Sequence, residues 1–179
     1  MASLQIHLEW PYHAISLPEA WPEKYPVGEE IAYRLLSQLA RNGVKATWYI
    51  LGHVAENHTK LIQFIQKLGH RIGSHGYWHG HGESENDASD IFARRFLPEC
   101  VGYISPFWDT TPRPGIGGGA FFRTLPYSML KQEIKRSGVF YIHPHDLVGV
   151  PIGPLRRRVF LCNPWERLEH LLQDIKWES

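Results

Sequence analysis

Cysteine is scarce: Cys100 and Cys162 are the only two in 179 residues. They fit no C-x-x-C spacing, which excludes a thiolate zinc knuckle and a disulfide-stapled scaffold and agrees with a reducing compartment. Excess charge of either sign is missing as well. Nineteen Lys and Arg against 18 Asp and Glu leave a formal net charge of +1, with the basic residues scattered except at Arg156, Arg157 and Arg158. That pattern carries no electrostatic footprint for nucleic acid or an anionic membrane, and the arginine triplet reads as a solvated face or loop. No apolar run approaches the roughly 20 residues of a membrane-spanning helix. Met1 to Glu9 has no basic segment leading into an apolar one, so no export signal is visible and a cytoplasmic location is expected. Internal repeats and low-complexity stretches are also lacking. What remains, 43% hydrophobic and 21% charged residues, is an ordinary globular composition long enough for one core, so a single domain over 1–179 is expected.

Hydrophobic periodicity orders the chain. Leu4, Ile6 and Leu8 alternate with Gln5, His7 and Glu9, the period of a strand whose polar face carries His7 and Glu9. Pro11, Pro18, Pro22 and Pro26 make the next segment a loop. Ile31, Leu35, Leu36 and Leu39 then recur at helical spacing until Asn42-Gly43. Ala46 to Leu51 reads as a strand, Leu61 to Leu68 as a helix closed by Gly69, and Arg71 to Ser74 as a third strand. Further on, Asp87 to Phe96 reads as a helix, Val101 to Ile104 as a strand, and Ser105 to Gly119, rich in Pro and Gly, as a loop. Leu125 to Ser137 predicts a helix stopped by Gly138, Val139 to Ile142 a strand, Val159 to Leu161 a short strand, and Pro164 to Ile175 a last helix with Pro164 in its first turn. Alternating strands and helices predict an α/β fold with a mainly parallel sheet. A full eight-unit barrel takes roughly 250 residues, so a reduced or open barrel is expected.

The third strand delivers Gly73-Ser74-His75-Gly76-Tyr77-Trp78-His79-Gly80-His81-Gly82. On a helix the spacing of His75 and His79 would stack both rings on one face, but the glycines disfavour helix, and a tight turn is the better reading. Two imidazoles converging in a turn suit zinc and its first-row neighbours; the other reading is a solvated polar loop. Glu9, His75 and His143 all fall at the carboxyl ends of predicted strands, the edge where parallel α/β folds build their sites. His53, His58, His70 and His81 read as surface or capping residues. His145 and Asp146 read either as partners that orient His143 or as turn residues after Pro144.

These segments resemble the polysaccharide deacetylases, the NodB-like carbohydrate esterases that remove acetyl groups from N-acetylated sugars. Thr47 to Glu56 is similar to the family's T-F-F-x-x-G-x-x-A-E segment, and Gly69 to His79 to its G-H-E-I-x-S-H-G-x-x-H segment. Val139 to His143 resembles the strand that ends in the family's late histidine, and the likeness runs from residue 4 to about residue 145. Gly117 to Arg123 with Tyr127 resembles a branch acting on exported or surface polysaccharides. Carried over, the resemblance implies a divalent ion, zinc first, held by Glu9, His75 and His79, with His143 as general acid. It implies an N-acetylated glycan as substrate, and substrate contacts at Ser105, Pro106, Phe107 and Trp108.

The resemblance also has departures. The family's first strand ends in two acidic residues, a base and a metal ligand, whereas here His7 stands at the base position. An imidazole can accept a proton at neutral pH; beside a dication it can equally become a fourth ligand. Ile104 stands where the family has an arginine that pairs with its catalytic aspartate. Losing both partners of a buried ion pair is physically coherent, since losing one alone costs about 3 to 5 kcal/mol. The connection from His79 to Gly102 is also shorter than the family's. Three outcomes stand at the sequence level: a deacetylase, a carbohydrate-binding relative that keeps the fold and has lost its base, or a folded remnant with neither ion nor ligand.

Overall fold

The structure, a computed structural model, describes residues 1–9, 28–78, 89–97, 99–105, 116–117, 119–147 and 163–178. Strand β1 (Ser3–Leu8) is followed by α1 (Glu29–Arg41), β2 (Thr47–Ile50), α2 (Gly52–Asn57), α3 (Thr59–Lys67) and β3 (Arg71–Ser74). The second half holds β4 (Ile116–Gly117), α4 (Gly119–Thr124), α5 (Tyr127–Ser137), β5 (Val139–Ile142), a 3-10 turn (Pro144–Leu147) and α6 (Pro164–Asp174). The five strands form one sheet in the order β3-β2-β1-β5-β4, every pairing parallel. This is the expected α/β class with parallel crossovers.

Because β1 lies in the middle, both of its faces are covered, and the polar residues of its alternation are buried along with the apolar ones. Leu4, Ile6 and Leu8 share one face with Trp48, Ile50, Ile72, Phe140 and Ile142, all with at most 2% of their surface exposed. Ala32, Leu35, Leu36 and Leu39 of α1 belong to the same core, as do Leu61, Ile62 and Ile65 of α3, Leu130 and Ile134 of α5, and Leu168, Leu171 and Leu172 of α6. Each large side chain buried there contributes about 1.5 to 3 kcal/mol relative to exposure. The opposite face, set by the same two-residue period, carries Gln5, His7, Tyr49 and Tyr141. One face of the sheet holds the fold together and the other carries polar chemistry.

Several expectations need correction. Val101 to Ile104 does not form a full strand: it meets β3 through a single parallel bridge between Ser74 and Tyr103. Its backbone nevertheless follows β3, with Val101 N–H donating to Ile72 O at 2.8 Å and Ile104 N–H to Ser74 O at 3.0 Å. The expected helix over 87–96 is helical only at 89–93 within the described residues, and Ile116–Gly117 is a short strand where a loop was expected. Helices α2 and α4 were not anticipated. Leu125 and Pro126 precede α5, with Pro126 at its N-cap. His70 is no surface residue: it is 6% exposed and its Nδ1 accepts the Ala46 backbone N–H at 3.2 Å. Burial, reinforced by the charge of Lys45, lowers its pKa to about 4. The strand expected at Val159 to Leu161 lies outside the described residues.

Candidate active site

Parallel register levels the strand ends. Leu8 pairs with Ile50 and Ile50 with Ser74, so the next residues, Glu9 and His75, leave the sheet at the same height. On the other side Ile6 pairs with Ile142, which puts His143 level with His7. Strand β2 separates β1 from β3, so the strands bearing Glu9 and His75 are not neighbours. The sheet nevertheless brings Oε2 of Glu9 to 3.8 Å from Nε2 of His75. The other oxygen, Oε1, lies 3.7 Å from Nε2 of His143. Glu9 and His75 are buried, 4% and 2% exposed, so this carboxylate bridges two imidazoles away from bulk water.

Local backbone chemistry aims each ring. His75 follows β3 directly, its N–H donating to Ile50 O at 3.0 Å. Gly76 then turns the chain at a φ of 81°, a left-handed conformation that glycine adopts without a Cβ penalty. Nδ1 of His75 lies 2.7 Å from Ile104 O. A proton on Nδ1 donates to that carbonyl and leaves the Nε2 lone pair facing Glu9, the arrangement that orients metal-binding histidines. So the segment around Ile104 positions His75 through its backbone.

His143 is set by the turn after β5. Oδ2 of Asp146 accepts the His143 backbone N–H at 2.9 Å and stands 3.0 Å from Nδ1 of the ring. Burial alone would push the His143 pKa down; the Asp146 carboxylate, through charge and hydrogen bond, and Glu9 behind it outweigh burial and raise it to about 9. The same contact overcomes burial at Asp146 and holds its carboxyl well below the usual range. His145, stacked on His143 with ring centroids 4.8 Å apart, is pushed down to about 4 by burial and then by the His143 charge.

His7 is packed on four sides. Its ring stacks on Tyr141 at 5.1 Å, meets Tyr49 edge-on at 5.8 Å, and lies 4.7 Å from His75 and 5.4 Å from His143. Burial first, then the charges of His75 and His143, hold its pKa well below 6.5. Gly73 makes room for this layer, since a Cβ there would meet the Tyr49 ring at 2.5 Å.

The structure therefore brings together Glu9, His75, His143 and His7. His79, Pro106, Phe107 and Trp108 lie outside the described residues, and Ser105 is buried, 5% exposed. Sequence reasoning left the role of Asp146 open and gave none to Arg123, whose Nη2 is 3.6 Å from Oδ1 of Asp146. An acidic residue three positions after a strand-ending histidine is the signal that marks the first.

Comparisons with known proteins bear on the family likeness and the fold. A family model described as polysaccharide deacetylase matches residues 22–94. The chain is 28% identical over 159 residues to the peptidoglycan deacetylase of Helicobacter pylori, covering 84% of this chain and 47% of that protein, so it spans about half the length of this curated relative. The peptidoglycan deacetylase PdaC of Bacillus subtilis superposes with a TM-score of 0.62 at 10% identity, over 99% of this chain and 85% of that one. A mutant of a CE4 family pseudoenzyme from Bacillus anthracis, with restored enzymatic activity, superposes with a TM-score of 0.61 at 15% identity, over 99% and 64%. In sequence this chain resembles the polysaccharide deacetylases, and its described fold is that of the solved NodB-like deacetylases.

Proposed function

We propose that the chain is a metal-dependent hydrolase that removes the acetyl group from an N-acetylated sugar of a surface polysaccharide or its precursor. The observation that carries this is Glu9, whose two oxygens face His75 on one side and His143 on the other at 3.8 and 3.7 Å. The donor set fits a divalent ion such as zinc. Two ligands at about 2.0 to 2.1 Å from one ion stand at most roughly 4 Å apart, and Glu9 and His75 meet that limit with Nδ1 of His75 already engaged by Ile104 O. Glu9 and His75 would hold the ion, with His79 as the third ligand that the resemblance implies. When bound, the ion supplies Lewis acidity to the acetamide carbonyl and makes a nearby water a stronger acid.

The chain's own residues supply the proton steps. With a pKa near 9 and Nδ1 on Asp146, His143 is protonated at neutral pH and presents Nε2–H to the departing sugar amine as general acid. His7 is neutral at that pH and takes the proton of the attacking water as base. Its lowered proton affinity makes it a weak base, so turnover is slow. Trp78, half exposed beyond His75, offers a flat ring to a sugar face.

A second reading has its own observation. An imidazole fills the base position, wedged between Tyr49, Tyr141, His75 and His143, and a protein of similar fold is described as a pseudoenzyme. On this reading the chain binds an N-acetylated glycan without cleaving it. Acetate release from chitooligosaccharides and peptidoglycan fragments, with zinc supplied, separates the two. Release by the wild type that is lost in His143→Ala supports the hydrolase; glycan binding without release supports the binder.

A further inference from the structure

By the family resemblance Ile104 stands where an arginine is expected, yet a partly buried arginine does reach the site from another element. Arg123 extends from α4 to the turn that carries His143. Its Nε donates to Asp146 O at 3.2 Å, its Nη2 donates to His145 O at 3.1 Å, and Nη2 lies 3.6 Å from Oδ1 of Asp146. The Arg123 side chain is 11% exposed and the Asp146 side chain 2%. Asp146 is thus divided: Oδ2 serves the backbone N–H and the ring Nδ1 of His143, while Oδ1 faces Arg123.

We propose that Arg123 is a positioning residue for the general acid, acting through Asp146. This rests on the reading of His143 as the acid. The guanidinium is a rigid planar fork. Here it spans two carbonyls of one turn and the carboxylate of that turn at once, fixing both the backbone conformation and the carboxylate rotamer. With Oδ2 locked on Nδ1–H, His143 keeps the tautomer and ring angle that direct Nε2 toward Glu9 and the sugar amine. A lysine carries the charge without the fork. It preserves the attraction to Asp146 and loses at least one of the carbonyl contacts.

The test compares Arg123→Gln, Arg123→Lys, Asp146→Asn and the double variant Arg123→Gln/Asp146→Asn, all zinc-loaded. Two readouts are used: steady-state acetate release, and backbone amide hydrogen exchange at His143 with Ile6 as reference. Arg123→Gln is expected to lower kcat by about 10- to 100-fold with KM changed less than about twofold. Arg123→Lys should recover part of the loss, and the double variant should be no worse than Asp146→Asn alone. The His143 amide, which donates to Asp146, should exchange about tenfold faster in Arg123→Gln while Ile6 is unchanged. Unaltered exchange at His143, or equal acceleration at His143 and Ile6, overturns the proposal. A wild type that releases no acetate defeats the reading of the site instead, and the exchange arm then decides the positioning role by itself.

Discussion

Glu9 Oε2 stands 3.8 Å from His75 Nε2 although β2 runs between the strands that bear them. Neighbouring strands lie about 4.7 to 4.9 Å apart, so two residues on strands once removed meet only where long side chains lean inward over the strand between. The residue at this level between them is Leu51, which directly follows β2 and is fully buried. The first consequence concerns metal. Glu9→Gln and His75→Ala should each weaken zinc binding by more than the roughly 10- to 100-fold typical of residues that only orient a ligand. Competition with a chromophoric chelator measures this, and retention of wild-type affinity in either variant removes that residue from the ligand set.

Gly73 is the spacer beneath the ring layer. Gly73→Ala places a Cβ 2.5 Å from the Tyr49 ring, with the Gly102 carbonyl at 3.3 Å. Overpacking of this kind costs about 1 to 3 kcal/mol. Because His75 is two residues on, zinc affinity should fall together with the denaturation midpoint. A variant as stable as the wild type contradicts the packing described.

Stability of the metal-free chain should peak near pH 6.5. His143 has its folded pKa raised to about 9, so its contribution is complete below 6.5 and is lost as pH rises from 6.5 through 9. His70 and His145, lowered to about 4, and His7, lowered well below 6.5, act in the opposite direction. Each is neutral in the fold and protonated in the unfolded chain, so stability falls as pH drops from 6.5 toward 4. One proton changes the free energy by at most about 1.4 kcal/mol per pH unit, and three on the acid side against one on the alkaline side make the acid limb steeper. Urea unfolding across this range measures both limbs, and His143→Gln should flatten the alkaline one. An alkaline limb that persists in that variant contradicts the assignment.

The family resemblance implies that His7 and Ile104 form a pair of replacements. His7→Asp alone adds a buried carboxylate beside Glu9 and should destabilise by about 3 kcal/mol or more. His7→Asp with Ile104→Arg restores a partner charge, and is expected to recover much of that stability and to raise acetate release above the wild type. A double variant no more active than His7→Asp indicates that Ile104 does not face the base position.

Much of this was legible in the sequence, for identifiable reasons. Strand β3 and helices α1 and α6 carry strong periodicity and clear stops, such as Asn42-Gly43 and the Asn163-Pro164 start, where Asn163 accepts the Trp165 N–H. Helix α2 escaped notice because its six residues begin at a glycine and bury only Gly52, Val54 and Ala55, too few to show a period. The convergence of Glu9, His75 and His143 was legible because parallel folds bring strand ends to one edge. The depth of His7 was not, because alternation in β1 suggested a half-exposed strand, and only the sheet order puts β1 in the centre. Arg123 belongs to α4 and meets Asp146 across 23 positions of sequence, a contact that no local pattern encodes.

The most direct test of the account is acetate release from N-acetylglucosamine oligomers by zinc-loaded wild type beside His143→Ala. The account predicts slow but measurable release by the wild type, lowered at least about 100-fold by the substitution. Equal release by both proteins, or none from a wild type with zinc bound, would contradict it.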